Sequence, residues 1–414
     1  MELSIPHFSV KKLTGSRLLA TIYLLAFCIN FVPIDGMGVS YFKVALMVLA
    51  PLLFFIKVPY VSKGVLWGAA YWGCCLCCAY FYSGLLRFSS LGYLGLFILA
   101  YILYYNLIYS GAFTVREFIL LLKCLIIAFG VTLILQQVCI LIGLRNMPLV
   151  NLTNQPFLSL TKLPSLTIEP SHTARVLTAA MLVYMQCTAI YNDVKRTSFS
   201  RLFDKENRWV TILFLYTMLT MGSGTAFIGL GILSLYFITK ENAFYVAPFL
   251  AIVLFIGAQL ELKEVRRITA LSEAVMEGKE GLELNNVEGS GATRIIPILN
   301  TLRYTDLDDP ATWLGHGSKE VDPREWANMS RKMKIVDQYG LLSLIVSIFF
   351  VYGCAIRRFW SIETLIFIVL MGFSLLNIYY IWGILMMFTT VRFFEDAREK
   401  GLMAVEEDME NDEE

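Results

Sequence analysis

This sequence predicts an all-α polytopic integral membrane protein with about twelve transmembrane helices and one long outer loop, on three observations. The first is composition: 57% of the 414 residues are hydrophobic, 16% are charged, and the mean hydropathy is +0.64. Water-soluble domains carry about 25% charged residues, so most of this chain belongs in lipid and a soluble enzyme is excluded. The second is the recurrence of apolar stretches of about 20 residues, which cross a bilayer at about 1.5 Å per helical residue. The third is the placing of Lys and Arg in alternate short loops, which gives the stretches a sidedness.

The first five stretches are 18–34, 39–57, 64–82, 91–110 and 118–144, and the first has no small-residue cleavage site after it, so it reads as retained. Lys11, Lys12 and Arg17 precede the first, Lys57 and Lys63 separate the second and third, and Arg116 precedes the fifth. These ends are cytoplasmic, and the turns at Asp35 and Ser83 face outward, with only Arg87 against the trend. The fifth stretch delivers 145–172 to the outer side, a loop with four prolines that is expected to dip back toward the membrane. The sixth, 173–192, returns to the basic loop of Lys195, Arg196, Arg201, Lys205 and Arg208.

Residues 209–239 make about 46 Å of helix, too long for one pass, and the break Met221-Gly222-Ser223-Gly224-Thr225 favours a hairpin of two short helices. A stretch at 245–260 leads out to the polar segment 261–335, followed by 336–355, the pair Arg357 and Arg358, and a run over 359–393 that can break near Asn377. The chain thus divides into N-terminal membrane helices (1–144), an outer loop (145–172), central membrane helices (173–260, broken at 221–225), a large outer loop (261–335), C-terminal membrane helices (336–393) and an acidic cytoplasmic tail (394–414).

The formal charge is +1, yet Glu406–Glu414 alone carries seven carboxylates and no base, leaving a scattered basic excess elsewhere that fits cytoplasmic loops and not a nucleic-acid partner. The nine cysteines lie in apolar runs with no paired Cys or His at zinc-ligand spacing, so they read as small hydrophobes, and no metal or other cofactor is expected.

The apolar stretches hold almost no ionisable groups apart from Lys123 and Arg175, which leaves the polar chemistry on the outer side. There Glu169, Ser171, His172 and Arg175 gather within seven residues at the start of the sixth stretch. Pro170 suits a helix start, Ser171 can cap it and Arg175 can snorkel to the interface, yet a helix start with an arginine one turn on also suits an anion. In the large loop, 261–278 has the periodicity of a surface helix. Beyond it come Gly291, Arg294 and Arg303, and then the turn Gly315-His316-Gly317, whose glycines allow close backbone approach to a ligand. His316 reads equally as a solvent-exposed turn histidine, and the two arginines as partners of Asp306, Asp308 and Asp309.

Over roughly residues 130–390 the order of these features resembles the O-antigen polymerase and O-antigen ligase family: the Glu169-Pro170-Ser171 loop, the break at Thr220–Thr225, and the outer loop with Gly291, Arg294 and Gly315-His316-Gly317. The Ser-Arg pair familiar at the break is absent, because Gly224 follows Ser223. The resemblance implies a GT-C-like membrane glycosyltransferase of the bacterial inner membrane, with a periplasmic active site and metal-independent transfer. It implies undecaprenyl-pyrophosphate-linked glycans as substrates, membrane lipid around them and a membrane protein that sets chain length as a partner. Arg175, Arg294 and Arg303 would hold the pyrophosphate, with Ser171 and His172 at the same site, and His316 or Glu169 would be the base, His172 less so. The Glu-Pro-Ser loop and Gly-His-Gly turn favour polymerisation of repeat units into O-antigen or a related surface polysaccharide, with a ligase to lipid A core as the alternative. A lipid-linked sugar transporter is the rival from another class; it calls for polar residues lining the stretches and short outer loops.

Overall fold

The computed structural model describes residues 14–30, 40–56, 63–81, 88–144, 162–238, 297–298, 300–303, 305–315, 317, 332–373, 375–376 and 378–401. Every regular element among them is helical: α1 (Thr14–Cys28), α2 (Tyr41–Ile56), α3 (Lys63–Phe81), α4 (Phe88–Tyr109), α5 (Val115–Leu141), α6 (Pro170–Tyr191), α7 (Arg208–Thr220), α8 (Gly224–Ser234), α9 (Lys334–Cys354), α10 (Ile362–Leu365) and α11 (Tyr379–Glu399), with a short helix Pro310–Leu314 before α9. Among the described residues α3, α4, α5, α6 and α9 are each long and apolar enough to cross a membrane, the makeup of a multi-pass helical membrane protein. The stretch 245–260, the surface helix at 261–278 and the acidic tail lie outside the described residues.

The helices form one bundle in which α6 is the most enclosed, buried along nearly its whole length between α5, α8 and α11. Helices in lipid gain nothing from leaving an equally apolar solvent, so close approach and internal hydrogen bonds must hold them together. Between α3 and α4, Gly68 seats Ile98 and Ile102 where a Cβ would stand 2.9 Å from both, and Gly95 seats Trp72 in the same way. Tyrosine hydroxyls supply the polar links: Tyr101 to Thr389 (2.6 Å), Tyr104 to Thr390 (2.8 Å) and Tyr71 to the Leu375 carbonyl (2.9 Å).

Ion pairs collect at the end that the sequence assigns to the cytoplasm. Thr114 and Glu117 form a reciprocal cap on α5, and Glu117 also pairs with Arg17 at the start of α1. Arg398 at the end of α11 pairs with Asp193 after α6, and Arg357 with Glu399 and Asp396. Lys123 donates to the Glu206 carbonyl at 3.4 Å, which removes it from the list of intramembrane candidates.

Two segments depart from simple crossings. Residues 163–167 are buried against the middle of α5: the Ser165 hydroxyl donates to the Phe129 carbonyl at 2.6 Å, and the Gln136 amide pairs with both Ser165 backbone groups at 2.9 Å. Residues 163–167 thus fold back against α5, while 145–161 lies outside the described residues. Helices α7 and α8 form the expected hairpin, turned at Gly222 (φ +70°). Its far end returns to the basic loop, where Arg196 donates to the Tyr236 and Ile238 carbonyls at 3.1 and 3.0 Å. The run 359–393 also breaks, with positive φ at Gly372 and Phe373 close to the expected point. Its first limb, α10 and the π-helical turn Ile366–Leu370, rises about 13 Å, under half of a bilayer core of about 30 Å.

Candidate functional site

The end of the bundle that the sequence assigns to the outer side, its mouth, is built by the ends of α1, α2, α6 and α11 and by the 163–169 segment. The turn before α6 is fixed by hydroxyls: Thr167 donates to the Pro164 and Glu169 carbonyls at 3.1 and 2.8 Å and meets the Thr173 hydroxyl at 2.8 Å. Glu169, not Ser171, occupies the N-cap position, with extended backbone and Pro170 as the first helical residue. Ser171 therefore lies inside the first turn, where its hydroxyl donates to the Glu169 carboxylate at 3.3 Å, and the capping role expected of it is corrected.

His172 shares that carboxylate, its Nε2 standing 3.8 Å from Glu169 Oε2, and its ring lies 4.4 Å from the Tyr380 ring and 6.4 Å from the Tyr379 ring. Arg175, one turn on, donates to the Tyr380 hydroxyl, and its guanidinium carbon is 5.3 Å from that ring. Its Nε is buried with no hydrogen-bond partner among the described residues. Arg175 is thus turned inward to α11 instead of snorkelling outward.

The sequence reading missed the group that completes this site. Lys43, on the first turn of α2, is 3% exposed, stands 3.4 Å over the Tyr379 ring and donates to Asn30 Oδ1 at 3.3 Å. No carboxylate among the described residues pairs with it, and the neighbouring Asn30 Nδ2 and Ser40 Oγ are buried without hydrogen-bond partners among them. The expectation that the apolar stretches lack ionisable groups beyond Lys123 and Arg175 is corrected at this position. A continuous chain of contacts runs from Asn30 through Lys43, Tyr379, His172 and Tyr380 to Arg175. One signal was available, a single cation inside the apolar run 41–56; its partners in α11 were not, because they lie more than 300 residues away.

The other expected residues fall elsewhere or outside the description. Arg303 is exposed on the helical residues 300–303, tied to the base of α9 by the Met333 amide donating to Thr301 Oγ1 at 2.8 Å. Arg294 and His316 lie outside the described residues. The glycines flanking His316 have φ of +80° and +89°, and the close approach they allow is made to the protein's own α9. A Cβ on Gly315 would stand 2.6 Å from the Gln338 carbonyl, and the Gly317 amide donates to that same carbonyl at 3.1 Å. At the break before α8, the Met221 carbonyl accepts from the Leu163 amide at 3.3 Å, so the hairpin supports the re-entrant segment.

Chemically, the mouth offers two cations, an imidazole, two phenols and one carboxylate. Among the described residues no three His, Cys, Asp or Glu side chains gather as metal ligands, and the donors here are of the kind that hold an anion. No protein-family model, no curated protein and no solved structure matches this chain.

Proposed function

We propose that this chain is a membrane glycosyltransferase that polymerises undecaprenyl-pyrophosphate-linked repeat units at the outer face of the bacterial inner membrane. The observation that carries the reading is the pair of cations, Lys43 and Arg175, drawn into the outer mouth without a carboxylate paired to Lys43. A buried ammonium is costly unless it has a task, and a pyrophosphate would supply the missing counter-charge.

In this reading the acceptor hydroxyl oxygen bonds to the anomeric carbon of the donor glycan while the carbon–oxygen bond to pyrophosphate breaks. Lys43 and Arg175 stabilise the charge that collects on the departing pyrophosphate. The hydroxyl proton passes to Glu169, which lies exposed at the mouth beside His172, and the tyrosine rings give the sugar a flat surface to stack on. His316, Arg294 and Arg303 belong to the same proposal from the outer loop, and a ligase to lipid A core would use the same donor site.

The test is reconstitution in liposomes with a defined lipid-pyrophosphate repeat unit. Wild type is expected to give a ladder of longer lipid-linked glycans, and Glu169→Gln and Arg175→Ala to abolish it while remaining folded. Transfer only on addition of lipid A core would indicate the ligase, and no transfer to either acceptor removes the glycosyltransferase reading.

Lys43 also supports a second reading, transport of lipid-linked sugars, because intramembrane ionisable groups mark translocation paths. Movement of the lipid-linked unit between leaflets without any change in glycan length would select it.

A further inference from the structure

At the opposite end of the bundle a cavity of 590 Å³ lies between the ends of α6, α8 and α11 and the segment 355–368. Six cations line it, Lys195, Arg196, Arg357, Arg358, Arg392 and Arg398, against two carboxylates, Glu363 and Glu395. Four of the cations are engaged. Arg357 pairs with Glu399, Asp396 and Glu395, and Arg398 with Asp193. Arg392 donates to the Tyr352 and Ile356 carbonyls and stands 4.0 Å from Asp396, while Arg196 holds the Tyr236 and Ile238 carbonyls. Lys195 and Arg358 are exposed, with no described carboxylate at ion-pair distance from either, and Arg358 acts on Glu395 and Glu399 only from farther off.

The acidic side is weakened as well. Glu363 accepts a hydrogen bond from Gln186, and burial, reinforced by Glu363, pushes the Glu395 carboxyl above the usual carboxylate range. The remaining wall is apolar, with Ile238, Ile362 and Ile368 inside and Phe359 and Trp360 at the rim, 58% and 92% exposed. An aromatic pair beside Arg357 and Arg358 is what the boundary between lipid and water selects. A free phosphate would satisfy the cations and leave the apolar wall unused; a phosphate carrying acyl chains satisfies both.

We infer that this cavity binds the phosphate headgroup of an anionic phospholipid of the cytoplasmic leaflet, with Lys195 and Arg358 as its principal contacts. The inference is independent of the catalytic proposal and rests only on the membrane sidedness.

The full chain would be purified into phosphatidylcholine nanodiscs, and bound phosphatidylglycerol counted by native mass spectrometry across a titration. The pair Lys195→Ala with Arg358→Ala is expected to weaken binding roughly 10- to 30-fold. The pair Lys205→Ala with Arg208→Ala, which removes two exposed cations of the same end from outside the cavity, is expected to leave it unchanged. Equal weakening by both pairs, or none by the first, overturns the site. Displacement of the lipid by inorganic phosphate alone overturns the lipid assignment in favour of a soluble anion. Should the alanine pair misfold, Lys195→Gln with Arg358→Gln reads the same contrast with the stems retained.

Discussion

Lys43 and Glu395 show how burial gives one ionisable side chain a consequence that its sequence neighbours do not reveal. Replacing Lys43 with Met keeps the volume beside Tyr379 and removes the buried ammonium. Because a charge buried without a carboxylate costs stability, the variant is expected to melt at the same temperature or higher, while glycan polymerisation falls about 100-fold or more. Parallel melting and ladder assays check both halves, and a parallel loss of stability and activity would make Lys43 a structural residue. Glu395 lies past the apolar run, where burial raises its carboxyl above the usual range. A group with a raised folded value supports folding when protonated and loses that support as pH rises through the folded value. Glu395→Gln is therefore expected to raise the melting temperature at neutral pH, with the gain shrinking as pH falls into the carboxylate range. A gain that grows on acidification would reverse the sign assigned here.

The re-entrant segment and the kinked start of α9 depend on specific polar or backbone contacts, and each has a substitution that isolates them. Gln136→Leu leaves the buried amide and carbonyl of Ser165 unpaired, and about 2–4 kcal/mol of destabilisation is expected, read by chemical or thermal unfolding in detergent. Gly340 has φ +79° inside α9, and a Cβ there would collide with the Trp313 carbonyl. Gly340→Ala is expected to cost about 3 kcal/mol or more, whereas Gly231→Ala in α8, with open space around it, is expected to be neutral or mildly stabilising. Equal effects of the two would show that the docking of Pro310–Leu314 on α9 contributes little. These two features also mark the limit of what could be read from sequence. The helices themselves were legible, since α2 to α6 and α9 start and end close to where the apolar runs do, and Gly222 announced the hairpin of α7 and α8. The partners of Gln136 and Gly340 were not, because a residue's hydrogen-bond partner across a bundle leaves no local period. The glycines around His316 read as a ligand turn for the same reason: backbone proximity to α9 and to a ligand require the same residue.

The whole bundle separates its charges, with ion pairs of Arg17, Asp193, Arg357 and Arg398 at one end and the Lys43, His172 and Arg175 cluster at the other. The loop cations assign each end of the bundle a side, and Glu169-Pro170-Ser171-His172 with Arg175 marked in the sequence one half of the cluster that the fold assembles. The other half comes from α2 and α11, which only the folded chain places beside α6. A protein so arranged would take an anionic lipid-linked donor at the outer mouth, and the claim that Lys43 and Arg175 hold its pyrophosphate together is the centre of the account. The most direct measurement is the affinity of undecaprenyl pyrophosphate for the purified chain in nanodiscs, compared among wild type, Lys43→Met and Arg175→Ala. Wild type is expected to bind saturably and each folded variant at least about tenfold more weakly. Equal affinity in all three would contradict the account, because the two cations would then have no part in holding the donor.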